Sequence, residues 1–247
     1  MAAILEVRDL RKEYPKFSLG PVSFSVEEGS IMGFIGRNGA GKTTTIKSIL
    51  NVVHPLSGEI RYFGLELLAH ERDIKQRIGY AGGAVDYYPR KKISRILEVT
   101  SRFYKNWDWD ANRRYLDMFS VDPEKTPREL SEGMKVKLNL AMALSHRAEL
   151  LILDEPSSGL DPVSREELMD IFRYLRDQGV AILFSTHITS DLEKCADHIT
   201  YIRQGQLMAS CGLPEFVEDN KKRGKGGSLD EIMMAYEKEV YLEKLTD

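Results

Sequence analysis

The chain has 247 residues, 42% of them hydrophobic and 30% charged, a composition that suits one large α/β domain and excludes a disordered chain. The net charge of −3 offers no basic face to neutralise a phosphate backbone, so no nucleic-acid partner is expected. No apolar run approaches the ~20 residues of a membrane span, the first residues lack the layout of a secretory signal, and Cys195 and Cys211 make no disulfide framework, so a reducing cytosol is the expected compartment.

Residues 1–30 alternate apolar and polar side chains, as in Ile4–Arg8 and Val22–Val26, with turn signals at Pro15, Gly20-Pro21 and Glu28-Gly29. That pattern predicts strands and tight turns. Ser30–Ile35 then reads as a short buried strand, and Gly36-Arg37-Asn38-Gly39-Ala40-Gly41-Lys42-Thr43 follows it. This octet fits the P-loop pattern G-x-x-x-x-G-K-[ST] in the right setting, since Thr44–Leu50 can open a helix. Glycines let backbone N–H groups close around phosphate oxygens, and the helix N-terminus adds its positive end. Lys42 can reach the β- and γ-phosphates, and the Thr43 hydroxyl can ligate Mg²⁺. Binding of a nucleoside phosphate is therefore the first functional expectation.

Further strands are predicted at Gly58–Gly64 and Ile78–Ala81. From about residue 90 the period becomes helical, through Ile93–Tyr104, Trp107–Phe119 and Leu138–Leu144. After residue 150 the α/β pattern returns. Leu150–Leu153 and Val180–Phe184 are continuous apolar runs, as parallel strands buried on both faces require. Between them lies a helix, Ser164–Gln178, with Gly179 placed to end it. Ser228 and Glu231 read as a capping box for a last helix that puts Leu229, Ile232, Met233, Tyr236 and Val240 on one packing face.

Two carboxylates end the strand Leu150–Leu153. Asp154 is placed to hold Mg²⁺, and Glu155 to polarise a water aimed at the γ-phosphate. His187 ends the next strand, at the expected γ-phosphate edge. Upstream stands Leu130-Ser131-Glu132-Gly133-Met134, before a helix running through Ser145. This ordered set resembles the nucleotide-binding domain of ABC transporters over nearly the whole chain. Gly36–Thr43 resembles its Walker A, Leu130–Met134 its signature, Leu150–Glu155 its Walker B, Ser158–Asp161 its D-loop and His187 its switch histidine.

The resemblance implies a P-loop NTPase (RecA-like) core of residues 1–82 and 147–247, with an N-terminal antiparallel β subdomain and an inserted helical subdomain over 84–146. It implies catalytic roles for Glu155, His187 and Lys42, with Thr43 and Asp154 on Mg²⁺. It places ATP against Gly36, Arg37, Asn38, Gly39, Ala40, Gly41, Lys42, Thr43 and Thr44, with Tyr14 stacked on adenine. Ser131, Gly133 and Asp161 would complete the site of a second subunit. The implied partners are an integral membrane permease on a separate chain and a like or related ATPase in a homodimer or heterodimer. The implied location is peripheral, on the cytoplasmic face of the membrane.

Two departures stand out. Glu132 replaces the commoner glycine of the signature. A carboxylate ~5 Å from a phosphate charge would cost roughly 3 kcal/mol per charge pair at an effective dielectric of about 20, so Glu132 is expected to turn toward Lys135. Similar signatures occur in ATPases serving ABC-2-type exporters. The second departure is at Gly83, where the family usually has a Gln that touches Mg²⁺. Gly82-Gly83 reads instead as a hinge, with residues 81–92 expected to be mobile before a permease docks at Tyr87, Tyr88 and Arg90. Two other readings share these motifs. One is a soluble ABC-type ATPase of repair or translation, and the other a nucleotide-gated regulatory module with little turnover.

Overall fold

The computed structural model describes residues 2–82 and 88–246, with side chains through 238. Two sheets organise the chain. The first is four-stranded and antiparallel, in the order β2-β1-β4-β5, from β1 (Ala3–Tyr14), β2 (Phe17–Glu27), β4 (Ser57–Tyr62) and β5 (Leu65–Glu66). The second is six-stranded, in the order β10-β9-β3-β8-β7-β6. Its members are β3 (Ile31–Ile35), β6 (Ile78–Gly82), β7 (Leu150–Asp154), β8 (Ala181–Thr186), β9 (His198–Arg203) and β10 (Gln206–Gly212). Strands β6, β7, β8, β3 and β9 run parallel, and β10 pairs antiparallel at the edge.

The apolar runs of the central strands divide between two cores because successive side chains point to opposite faces. Ile31, Ile35, Leu151, Leu153, Ile182 and Phe184 belong to the core under the helices. Their neighbours Met32, Phe34, Leu150, Ile152, Ala181 and Leu183 pack with the antiparallel sheet. Every residue of β3, β7 and β8 is buried. Such strands carry no alternation in sequence, which is the mark of a sheet covered on both sides.

Helix α1 (Lys42–Ile49) follows β3, and α2 (Leu67–Lys75), which has no counterpart in the sequence expectations, follows β5. Among the described residues three α-helices fall between β6 and β7, namely α3 (Ile93–Ser101), α4 (Trp109–Met118) and α5 (Glu132–Ser145), with a single 3-10 turn at Pro127–Glu129 before the last. Asp108 caps α4 by accepting from Asp110 N and Ala111 N, and Ser131 caps α5 by accepting from Met134 N. Helix α6 (Pro162–Asp177) is capped by Asp161 and ends at Gly179, whose φ of 87° suits the glycine. Helices α7 (Thr189–Cys195), α8 (Leu213–Lys222) and α9 (Leu229–Thr246) complete the chain.

Two expectations change in detail. Ala81 and Gly82, at the start of the stretch expected to be mobile, instead continue β6 in register with Leu153 and Asp154. Gly83 and Tyr87 lie outside the described residues. The capping box at α9 is shifted by one residue, since Ser228 Oγ accepts from Glu231 N but the Glu231 carboxylate takes Gly227 N. Leu229 and Ile232 are fully buried and Met233 and Tyr236 pack beside them, as the helical period requires, while the side chain of Val240 lies outside the described set. Among the described residues no helix is long and apolar enough to cross a membrane.

Candidate functional site

The ends of β3, β7 and β8 carry the reactive residues to one edge of the parallel sheet. Register alone does this. Ile35 pairs with Thr186 and Asp154 with Ser185, so Gly36, Glu155 and His187 leave adjacent strands at the same level.

The P-loop closes around its lysine. Gly41 sits at φ 115° immediately before α1, and a Cβ there would lie 2.8 Å from Leu19 Cδ1. A Cβ at Gly36 would lie 2.4 Å from Ile202 O. Only glycine fits either position without displacing a neighbour. The Lys42 ammonium is buried and donates to Gly36 O at 2.6 Å and to Arg37 O at 3.3 Å. It also pairs with Glu155 Oε1 at 3.0 Å. A cavity of about 410 Å³ opens over this loop, lined by Arg37, Asn38, Gly39, Gly41, Lys42, Thr43, Thr44, Phe17 and Glu155. That volume lies in the range of small-molecule sites.

Glu155 occupies φ 53°, a left-handed conformation uncommon for a residue with a Cβ. Its backbone N–H is held there by Ser185 Oγ at 3.0 Å and Ser185 O at 3.2 Å. Ser185 Oγ in turn donates to the buried Asp154 Oδ1 at 2.6 Å. The Glu155 side chain leaves its second oxygen 2.8 Å from His187 Nδ1. One carboxylate therefore joins Lys42 and His187, with Asp154 fixed beside it.

Other expected site residues lie elsewhere in the chain. Ser131 is exposed at the start of α5, and Gly133 lies against Ser164 and Leu160. Asp161 is exposed at the start of α6, where hydrogen bonds from Ser164 hold its carboxyl below the usual carboxylate range. None of the three lines the P-loop cavity. Glu132 pairs with Lys135 at 2.7 Å, as its chemistry demanded. Tyr14 is exposed at the end of β1, with Lys12 Nζ 5.5 Å from its ring centre. It does not line the cavity, whereas its cross-strand partner Phe17 does.

Three residues of the site escaped sequence reasoning. Phe17 could have been found as the first aromatic after the Pro15 turn. Ser185 is visible only as a small polar residue in an apolar strand. Glu237 of α9, which pairs with Arg37 at 2.9 Å, carries no local signal because 200 residues separate the partners.

A parallel sheet with a P-loop after β3 and an acidic strand end beside it defines a nucleotide-binding P-loop domain. Comparison with known proteins makes the class narrower. Residues 19–158 match the family described as ABC transporter. The chain is 34% identical over 226 residues to the bacitracin transport ATP-binding protein BcrA of Bacillus licheniformis, covering 90% of this chain and 74% of that one. It is 31% identical over 212 residues to the linearmycin resistance ATP-binding protein LnrL of Bacillus subtilis (strain 168), covering 83% and 68%. The solved structure of an ATP-binding subunit of an ABC transporter superposes with a TM-score of 0.82 at 30% identity, covering 94% of this chain and 98% of that one. The chain belongs to the ABC transporter family, as one of its ATP-binding, ATP-hydrolysing subunits.

Proposed function

We propose that this subunit powers a separate membrane permease of the exporter type, binding to it at the cytoplasmic face and pairing with a second ATPase subunit when ATP is bound. The observation that carries the reading is the Glu155 carboxylate set between Lys42 at 3.0 Å and His187 at 2.8 Å. Lys42 and the loop amides hold the phosphates, and His187 stands at the γ-phosphate edge. Glu155 orients the attacking water, so catalysis is positioning plus electrostatic stabilisation. The base rests against the β1–β2 turn, where Tyr14 and Phe17 face each other across the strands.

Thr43 and Asp154 would hold Mg²⁺. Their hydroxyl and carboxylate are the hard oxygen donors this ion takes, and Ser185 already orients Asp154. The ion would neutralise charge on the β- and γ-phosphates. Two side chains are too few for a dedicated cage, and among the described residues no cluster of three or more His, Cys, Asp or Glu forms one.

Ser131, Gly133 and Asp161 stand clear of their own chain's P-loop cavity, which supports their use on the nucleotide of a second subunit. The two parts of that arrangement are the core (1–82 and 147–247) and the helical subdomain (84–146), with Tyr88 and Arg90 near the junction offered to the permease. Export is favoured by the relatives named for bacitracin transport, linearmycin resistance and Nod factor export. Steady-state ATPase and sizing in ATP test the proposal together. Glu155→Gln should stop turnover and accumulate the dimer, and a monomer in ATP would refute the paired form.

A further inference from the structure

Behind the Glu155–His187 contact lies a buried ionic group that the roles above leave unused. Asp191, on α7 and four residues past His187, is fully buried. Its Oδ2 accepts from Ser157 Oγ at 2.5 Å, and Ser157 is itself fully buried two residues past Glu155. Its Oδ1 faces Arg165 Nε of α6 at 3.8 Å, and both of these atoms are buried without a hydrogen-bond partner. The same arginine donates from its other end to Leu160 O at 3.3 Å, in the segment that leads into α6. Two complementary buried atoms, one of them on an arginine side chain that is otherwise partly exposed, thus face each other about 1 Å beyond a normal N–H···O distance. Desolvation pushes the Asp191 carboxyl up, while Ser157, Arg165, Lys194 and His187 pull it down.

We propose that Asp191 and Arg165 are positioning residues for ATP hydrolysis, tying the segment after Glu155 to the helix after His187 and closing into direct contact when the D-loop moves. A buried carboxylate oxygen and a buried guanidinium N–H left about 1 Å too far apart are a poor resting arrangement, because each unsatisfied atom keeps its desolvation cost. A small advance of the α6 N-terminus satisfies both atoms. It also locks α6 onto α7, which Ser157 already ties to the segment after Glu155 at 2.5 Å, and so holds the two residues that meet at 2.8 Å. The inference deepens the proposed function and rests on its reading of Glu155 and His187 as the reacting pair.

The test uses the full chain with Asp191→Asn, Arg165→Gln, their double variant and Asp191→Glu. Leu175→Ala, in the core on α6, serves as a purely destabilised comparator, and Glu155→Gln marks the reaction centre. Each single change should lower kcat by about ten- to hundredfold, the scale of a small misplacement at the reacting atoms. Fluorescent-nucleotide affinity should stay within about twofold, and the double variant should be no slower than the worse single, as for residues acting as one unit. Asp191→Glu should recover part of the rate. Additive losses, or losses of kcat matched by losses of nucleotide affinity, would overturn the proposal. So would an equal kcat drop in Leu175→Ala at a matched fall in Tm. Wild-type turnover in Glu155→Gln would instead place the fault in the reaction centre itself.

Discussion

Exchanging Glu155 for Gln removes one side of an ion pair that competes with nucleotide for Lys42. The two charges are 3.0 Å apart, with the carboxylate about one-fifth exposed at 22%. Their gross attraction at an effective dielectric of about 20 is ~5 kcal/mol. Exposure and the desolvation of both partners reduce this to the worth of a charged hydrogen bond, about 1.5 kcal/mol at its lower end. Contacts of Lys42 with Gly36 O and Arg37 O remain in the variant, so the ammonium is not orphaned. Glu155→Gln should therefore bind nucleotide about tenfold more tightly while losing hydrolysis. ADP is the ligand to titrate, because it tests the release of Lys42 without assembly driven by the γ-phosphate. A fluorescent ADP analogue gives the affinity and a steady-state phosphate assay gives the turnover. Unchanged or weaker ADP binding would show that the pair does not hold Lys42 back, and the reasoning would fail.

Lys42→Ala should weaken ATP binding by about a hundredfold, within the roughly thousandfold ceiling set by the ~4 kcal/mol that a cation ~4 Å from a phosphate contributes at most at that dielectric. His187→Ala should keep affinity and lower turnover, and the same titration and assay separate the two. Gly41→Ala forces a Cβ onto φ 115° and toward Leu19 at 2.8 Å, so both Tm and nucleotide affinity should fall. Stability should depend on His146, which burial against Tyr104 pushes down from 6.5 to about 4. Between those values the unfolded chain binds a proton that the folded chain refuses. Stability is thus full above pH ~6.5 and falls by about 3 kcal/mol as the pH drops toward 4. Denaturant titrations across that range should show the slope, and His146→Gln should flatten it.

Elements with strong local signals were legible in the chain. The P-loop octet, the apolar runs of β7 and β8, and the Gly179 end of α6 all follow from chemistry within a few residues, whereas the Asp161 cap puts the start of α6 two residues ahead of the predicted Ser164. The Glu132–Lys135 pair was also readable, since one helical turn brings the two together. Helix α2 and the shifted cap at α9 were not. Glu66 caps α2 with no side-chain bond, and Glu231 chooses Gly227 N over its own cap residue because Gly226 turns the chain there at φ 121°.

The sequence by itself determined which atoms could bind phosphate and which could carry a proton, because those properties belong to residue types and their immediate neighbours. It also determined that the central strands are buried on both faces. Only the tertiary structure decided that Glu155 stands between Lys42 and His187, that Ser185 orients Asp154, and that Asp191 meets Ser157 and Arg165. These contacts span from 26 to 113 residues of chain, and their geometry is set by the register of β3, β7 and β8. Register depends on how both faces of a sheet pack at once, and no local stretch of sequence contains that information.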